Sequence, residues 1–262
     1  MRHINFYLIG VLINILFVSA CCSAPSVSVW HSDFSQGLAT FGTDVPIWGR
    51  ENLAVLQESD AKFLRVYIPA NTYDPGSMKR LGKPLGGAGF KTKLCNSGTV
   101  SASLSYSVRF DPGMDFVLGG KMPGLYGGQG NSGGVRADGT NGFSFRYMWG
   151  QEGRGGSIYA YLPSKSEWGL PMFGGQLKFK KGVWQDLRQE LTLNTPNLND
   201  GILRVWLDGK LVGETTNLFV RSVGTLSIDG LFFDVFFGGG SPEWASKSDV
   251  YVDFKNFSLR CW

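Results

Sequence analysis

Val100-Ser101-Ala102-Ser103-Leu104-Ser105-Tyr106-Ser107-Val108-Arg109-Phe110 alternates from end to end. Val100, Ala102, Leu104, Tyr106, Val108 and Phe110 fall on one face, and the serines and Arg109 on the other. Side chains of a strand point to opposite faces with period two, so this is a strand of a sheet covered on one side. The same reading extends outward. Strands are expected over residues 62–68, 183–193, 202–207, 225–237 and 249–259. In the last, Val250, Val252 and Phe254 alternate with Tyr251, Asp253 and Lys255. Asp208-Gly209 between Trp206-Leu207 and Lys210-Leu211-Val212 is a two-residue hairpin signal. The 37 glycines and the absence of helical periodicity point the same way. The fold class is therefore all-β: two antiparallel sheets packed as a sandwich of jelly-roll type, one bent around a concave polar groove. A sandwich of this type can run to roughly 200–250 residues, so one domain over 25–262 is expected.

Residues 1–24 read as a secretory leader, with Arg2 followed by an apolar run from Tyr7 to Val18 and then small residues. The run is too short for a comfortable membrane span, and no other stretch competes with it. Val18-Ser19-Ala20-Cys21 also resembles a bacterial lipoprotein box that would anchor Cys21 to lipid; ordinary cleavage near Ala20 or Ala24 is the preferred reading. A secreted, extracellular, monomeric protein is expected. Beyond Cys22 only Cys95 and Cys261 remain, and two cysteines in an oxidising compartment most simply form one disulfide. The formal charge is +4, about +3 without Arg2, and no polybasic run marks a nucleic-acid binder. His3 lies in the leader, which leaves His31 as the one histidine of the mature chain. A multi-histidine metal site is excluded, and a histidine triad would depend on His31 alone. No metal and no cofactor is expected.

Two short stretches carry most of the remaining chemistry. In Phe143-Ser144-Phe145-Arg146-Tyr147-Met148-Trp149, Ser144 and Arg146 point away from Phe143, Phe145, Tyr147 and Trp149. In Ser157-Ile158-Tyr159-Ala160-Tyr161-Leu162, Tyr159 and Tyr161 oppose Ile158, Ala160 and Leu162. One guanidinium, two phenols and a hydroxyl on displayed faces can hold a carboxylate and move a proton. Each residue alone has a plainer reading: an outward arginine is most often solvated, and tyrosines at i and i+2 usually form a stacking ladder. Trp168, Trp184 and Trp244 offer faces for sugar rings, whereas Trp149 and Trp206 are assigned to the core. Residues 127–142 form a glycine-rich loop bordering the groove. Its Gly128, Gly130 and Gly133 match G-x-G-x-x-G, but no helix pattern follows as a dinucleotide site requires.

Gly119-Gly120-Lys121-Met122-Pro123-Gly124-Leu125-Tyr126-Gly127-Gly128 is the most specific string in the chain. It is similar to the GKLPGLYGG segment of the family 14 polysaccharide lyases, which include alginate and glucuronan lyases. The stretch from Phe143 to Trp149 resembles that family's FSxRxMW strand, and Tyr159-Ala160-Tyr161 its YxY strand. Phe236-Phe237-Gly238-Gly239-Gly240-Ser241 through Trp244 resembles its late FFGGS…W segment, and Asp253-Phe254-Lys255-Asn256-Phe257 its closing strand. These ordered matches span roughly residues 85–260.

The resemblance implies a β-jelly-roll enzyme that cleaves uronic-acid polymers by β-elimination. It implies Lys121, Arg146, Tyr159 and Tyr161 as catalytic residues. Ser144, Tyr126, Phe237 and Trp244 are assigned to substrate binding. Met122 stands where the family usually has leucine, and Asn131-Ser132 where some relatives carry a cysteine. β-Elimination needs a neutralised C6 carboxylate, a base for the C5 proton and an acid for the departing O4. Arg146 suits the first task, because a planar guanidinium grips a carboxylate with two bonds. A tyrosine suits proton transfer if nearby cations favour phenolate, and Lys121 either supplies that field, binds the carboxylate or is itself the base. The expected partner is an acidic polysaccharide, alginate first and glucuronan next. The alternative is a non-catalytic binding sandwich for the same polymers. Paired carboxylates for hydrolysis are not seen in the two key strands.

Overall fold

The computed structural model describes residues 27–42 and 45–262. The leader, Cys21 and Cys22 lie outside the described residues. In chain order the strands are β1 (Ser28–His31), β2 (Leu53–Glu58), β3 (Ala61–Ile68), β4 (Ala88–Lys93), β5 (Ser101–Phe110), β6 (Gly119–Gly128) and β7 (Gly142–Gly150). They continue with β8 (Gly156–Tyr161), β9 (Leu170–Leu177), β10 (Gln185–Thr192), β11 (Gly201–Leu207), β12 (Lys210–Leu218), β13 (Gly230–Phe237) and β14 (Val250–Cys261). One sheet runs β12-β11-β10-β5-β14-β3-β2, with β1 added alongside β14. The other runs β4-β13-β6-β7-β8-β9. Neighbouring strands are antiparallel, and the two sheets enclose one core, as in a jelly-roll sandwich.

The alternation in β5 is realised as read. Ala102, Leu104, Tyr106, Val108 and Phe110 are all buried in the core. Val100 departs from it: it precedes the strand and is exposed, because pairing starts only at Ser101. On the outer face, Arg109 and Arg65 share the Asp253 carboxylate, whose side chain is fully buried between them. Asp208 and Gly209 both adopt positive φ between β11 and β12, the primed turn that suits the strand twist. Trp206 is a correction. Leu203, Val205 and Leu207 take the inward positions of β11, so Trp206 points outward, where the Arg188 guanidinium lies 3.7 Å from its ring centroid.

Strand β6 has no strand-like composition. Its glycines are there for close approach: a methyl at Gly120 would strike the Trp149 ring, and one at Gly124 the Phe145 carbonyl. Pro123 is tolerated because the β6–β7 register shifts between Met122 and Gly124. The Tyr106 hydroxyl donates to the Pro123 carbonyl (2.9 Å). From the opposite sheet, the buried Gln189 accepts from the Leu125 N–H (3.0 Å) and donates to the Phe145 carbonyl (3.1 Å). The extra residue inverts the alternation, so Lys121 and Tyr126 both face away from the core although they are five positions apart.

Cys95 follows β4 in one sheet and Cys261 ends β14 in the other. They form a disulfide with a Cα–Cα distance of 5.6 Å, so it ties the two sheets together. Closing so long a loop restricts the unfolded chain. Reduction, or Cys95→Ser, is expected to lower the unfolding free energy by roughly 2–5 kcal/mol in urea denaturation. Free thiols on both residues in non-reduced mass spectrometry would contradict the bridge.

Candidate active site

The outer face of the β4-β13-β6-β7-β8-β9 sheet is covered by loops rather than open to solvent. Residues 129–141 cover one part, and Asp74 with helix α1 (Pro75–Arg80) borders another. Between them lies a cavity of about 480 Å³, a size ordinary for a small-molecule site. Lys121, Arg146, Tyr159 and Tyr161 all line it, from β6, β7 and β8. Antiparallel pairing sets Arg146 directly opposite Tyr159, and Lys121 opposite Met148.

Lys121 is buried. Its Nζ lies 3.2 Å from the Met148 Sδ and 4.3 Å from the centre of the Tyr159 ring. Burial, then the neighbouring Arg146 charge, depress its pKa from 10.5 to about 7, with Asp234 and Asp74 opposing. A lysine so placed has a large neutral fraction near neutral pH and can accept a proton. Tyr159 is half-buried, and its ring meets Tyr161 edge-on at 5.6 Å. Burial, followed by Tyr161, pushes the Tyr159 phenol up to about 12. The condition set for a phenolate is not met at Tyr159: Arg146 acts in that direction, but burial outweighs it. Tyr159 is therefore a proton donor at neutral pH.

Arg146 is not displayed. It is 2% exposed, and its Nη1 donates to the carboxylate of Asp234 on β13. The Arg146 plane also lies 4.7 Å from the Phe232 ring centre. Ser144 is fully buried, and its hydroxyl donates to the Asn131 carbonyl (2.6 Å), which anchors the glycine-rich loop rather than meeting a sugar. Tyr161 serves the same loop by accepting from the Gly134 N–H (3.4 Å) while lining the cavity.

Like Ser144, the other three residues assigned to substrate binding are not brought to the cavity. Phe237 lies in the core against Trp149, because period two on β13 turns Phe236 outward instead. Tyr126 is buried edge-on to Phe232 with Gly130 above it, and burial raises its phenol to about 12. Trp244 packs against Gly239 and the small Tyr73–Met78–Ala245 cluster, so it shapes the rim without lining the cavity. His31 is exposed on β1, and residues able to nucleate a metal site, three or more His, Cys, Asp or Glu together, are not found among the described residues.

The cavity also contains residues that sequence reasoning passed over. Asp234 is the one ionisable residue of β13, an otherwise apolar strand with Phe232 and Phe236 on its own face. That isolation was the available signal. Lys91 on β4 donates to the carbonyls of Gln129 and Gly130 (2.9 Å to the latter) and so clamps the loop from a third side. Trp168, one of the tryptophans read from the sequence as a face for a sugar ring, is 59% exposed and does stand at the mouth, beside Gly134. Met148 was legible from the alternation, on the face of Ser144 and Arg146.

The chain and its fold have parallels among known proteins. The polysaccharide lyase 14 family model matches residues 57–257. The chain belongs to the polysaccharide lyase 14 family. It is accordingly a polysaccharide lyase. It is similar to the solved PL-14 alginate lyase from Aplysia kurodai at 27% identity, covering 88% of this chain and 98% of that one, with a TM-score of 0.75. A variant of alginate lyase Aly36B in complex with alginate trisaccharide aligns at 23% identity, 90% and 98% coverage and a TM-score of 0.74. The endo-β-1,4-glucuronan lyase from the fungus Trichoderma reesei aligns at 11% identity, 90% and 95% coverage and a TM-score of 0.53. The last two are likenesses of fold. Among curated protein sequences none matches the chain.

Two outcomes follow for this polysaccharide lyase. Lys121 binds a proton below pH 10.5 when unfolded but only below about 7 when folded, so its burial costs stability that is regained as pH rises through that window. Lys121→Met should raise stability at pH 7 by a few kcal/mol, and the gain should shrink toward pH 10.5 in denaturant titrations. Arg146→Ala should leave the Asp234 carboxylate buried without its partner, at a cost of about 3–5 kcal/mol rather than a neutral surface change. A melting temperature equal to wild type would contradict this.

Proposed function

We propose that this lyase acts on 1,4-linked uronate polymers, alginate in first place and glucuronan next, by β-elimination outside the cell. The observation that carries the reading is the pairing of proton affinities in one cavity: a lysine lowered to about 7 beside a tyrosine raised to about 12. Their order matches the task. Neutral Lys121 takes the C5 proton of the uronate, and the Tyr159 hydroxyl delivers a proton to the departing O4. The C4–O4 bond breaks as the C4–C5 double bond forms, so the new end is an unsaturated uronate. The catalytic pair is then restored by proton exchange with solvent.

The surrounding charge suits an acidic chain. Lys91, Lys121, Arg146 and Arg80 line the cavity against Asp234 and Asp74, so the site carries net positive charge even with Lys121 neutral. Fixed charges of this type stabilise the enolate-like intermediate without reorganising during reaction. Ser132, Gly133 and Trp168 form a side of the cavity where the next sugar can rest, the indole offering an apolar face. The alginate named for the Aplysia and Aly36B structures supports the choice of polymer. The Cys95–Cys261 bridge supports an oxidising compartment and, with the expected leader over 1–24, export.

The test is incubation with polymannuronate, polyguluronate and glucuronan, following the ultraviolet absorbance of the unsaturated product. Alginate blocks should give the larger signal without added cofactor. Tyr159→Phe keeps the ring and removes the proton, and should lower kcat by about 10²–10⁴ with little change in melting temperature. Saturated products from any of these polymers, or an unimpaired Tyr159→Phe enzyme, would overturn the mechanism.

A further inference from the structure

We propose that Asp234 is a positioning residue of this active site: its buried carboxylate holds the Arg146 guanidinium in the cavity floor and balances the charge around Lys121. The inference rests on the reading of Lys121 as the base.

Asp234 occupies a position where an acid is otherwise unfavourable. It lies on β13 between Phe232 and Phe236, is 6% exposed, and faces away from the core into a cavity partly walled by aromatic rings. A carboxylate taken out of water costs free energy unless it is paired. Burial pushes the Asp234 carboxyl above the usual carboxylate range, and the ion pair with Arg146, then the fields of Lys121 and Lys91, act against that rise and hold the charge. The backbone makes room for the group: opposite Asp234 on β4 is Gly89, where a methyl would collide with the Asp234 Oδ1. The register between β13 and β6 is also irregular between Phe232 and Phe236, the interval that contains Asp234. Local backbone and side chain thus cooperate to bring one carboxylate beside the Arg146 guanidinium and within the fields of Lys91 and Lys121.

The consequence for Arg146 is geometric. Its Nε is buried without a hydrogen-bond partner, so the Nη1 contact to Asp234 is what fixes the plane of the guanidinium. The consequence for Lys121 is electrostatic. The groups facing it are Arg146 and Met148 from β7, Tyr159 from β8, Asp234 from β13, and Asp74 at the start of α1, with Lys91 and Arg80 elsewhere on the same cavity. Asp234 and Asp74 favour the protonated amine, and Arg146 opposes them. Removing the Asp234 charge therefore makes Lys121 lose its proton at lower pH, and also frees Arg146 to move.

A base must be neutral to act, so the rate rises as pH passes through the Lys121 midpoint. Asp234→Asn should move the acidic limb of the kcat/KM profile on polymannuronate to lower pH, by about one unit. It should also lower kcat by about 10–100-fold, with a smaller change in KM, because Arg146 is misplaced. Asp234→Glu retains the charge but not its position, and should leave the limb near that of wild type while kcat still falls. An NMR titration of the Lys121 side chain gives the same midpoint without substrate, so it reads the proposal even if wild type proves inactive on every uronan, an outcome that would refute the substrate reading alone. Asp234→Asn with unchanged limb and midpoint, and only a lower melting temperature, would reduce Asp234 to a structural role and overturn the proposal. Should Asp234→Asn not fold, Asp234→Glu decides: full kcat there would overturn it, and reduced kcat with an unmoved limb would support it.

Discussion

Between Met122 and Gly124 strand β6 carries an irregularity in its pairing with β7, and the groups it leaves unpaired are buried. Gln189 reaches across the sandwich and satisfies two of them, the Leu125 N–H and the Phe145 carbonyl. A buried polar group left without a partner costs about 1–3 kcal/mol, so the bulge is tenable only with this amide in place. The bulge in turn decides which side chains of β6 face the cavity. Ahead of it Lys121 points outward, and behind it Leu125 returns to the core. The position of the lysine in the cavity thus depends on a glutamine of the opposite sheet.

The cavity face follows a second constraint. The central strands of its sheet, β13, β6 and β7, are buried on both sides, so polar groups on their outer side need partners. Arg146 has Asp234, Ser144 has the Asn131 carbonyl, Tyr161 has the Gly134 amide, and Lys91 has two loop carbonyls. Three of these four contacts hold the glycine-rich loop. The strand residues that resemble a catalytic set therefore divide their work: Lys121 and Tyr159 face the cavity with proton-transfer capacity, while Ser144 and much of Tyr161 shape its wall. The same low-polarity surroundings that demand partners also lower the lysine and raise the tyrosine.

The opposite sheet solves its own problem differently. Its outer face is more accessible, and there Asp253 is shared by Arg65 and Arg109, with Tyr251 and Trp184 lying under the guanidinium groups. This arrangement stiffens β3, β5 and β14, the strands adjoining the end of the chain that the disulfide ties to β4. A rigid back sheet keeps Gln189 in register with the bulge, since β10 pairs along its whole length with β5.

Period-two patterning was enough to place β3, β5, β7, β8, β10, β11 and β14, because each has an apolar face that only one pleat direction can bury, whereas β13 showed only as a near-continuous apolar run. The order of motifs from Lys121 to Trp244 was likewise enough to indicate the family, and the cysteine count the disulfide. Strand β6 escaped, since glycine and proline speak against a strand unless a bulge and close neighbours require them. Alternation separates two faces, but it does not say whether the outer one meets water. That was decided by loops packing over it, which turned Arg146 from a displayed cation into a buried ion pair. Asp234 is 88 residues from Arg146 along the chain, and no local pattern joins them. Tertiary structure alone brought them together, because two strands far apart in sequence share one sheet and one charge needs the other out of water.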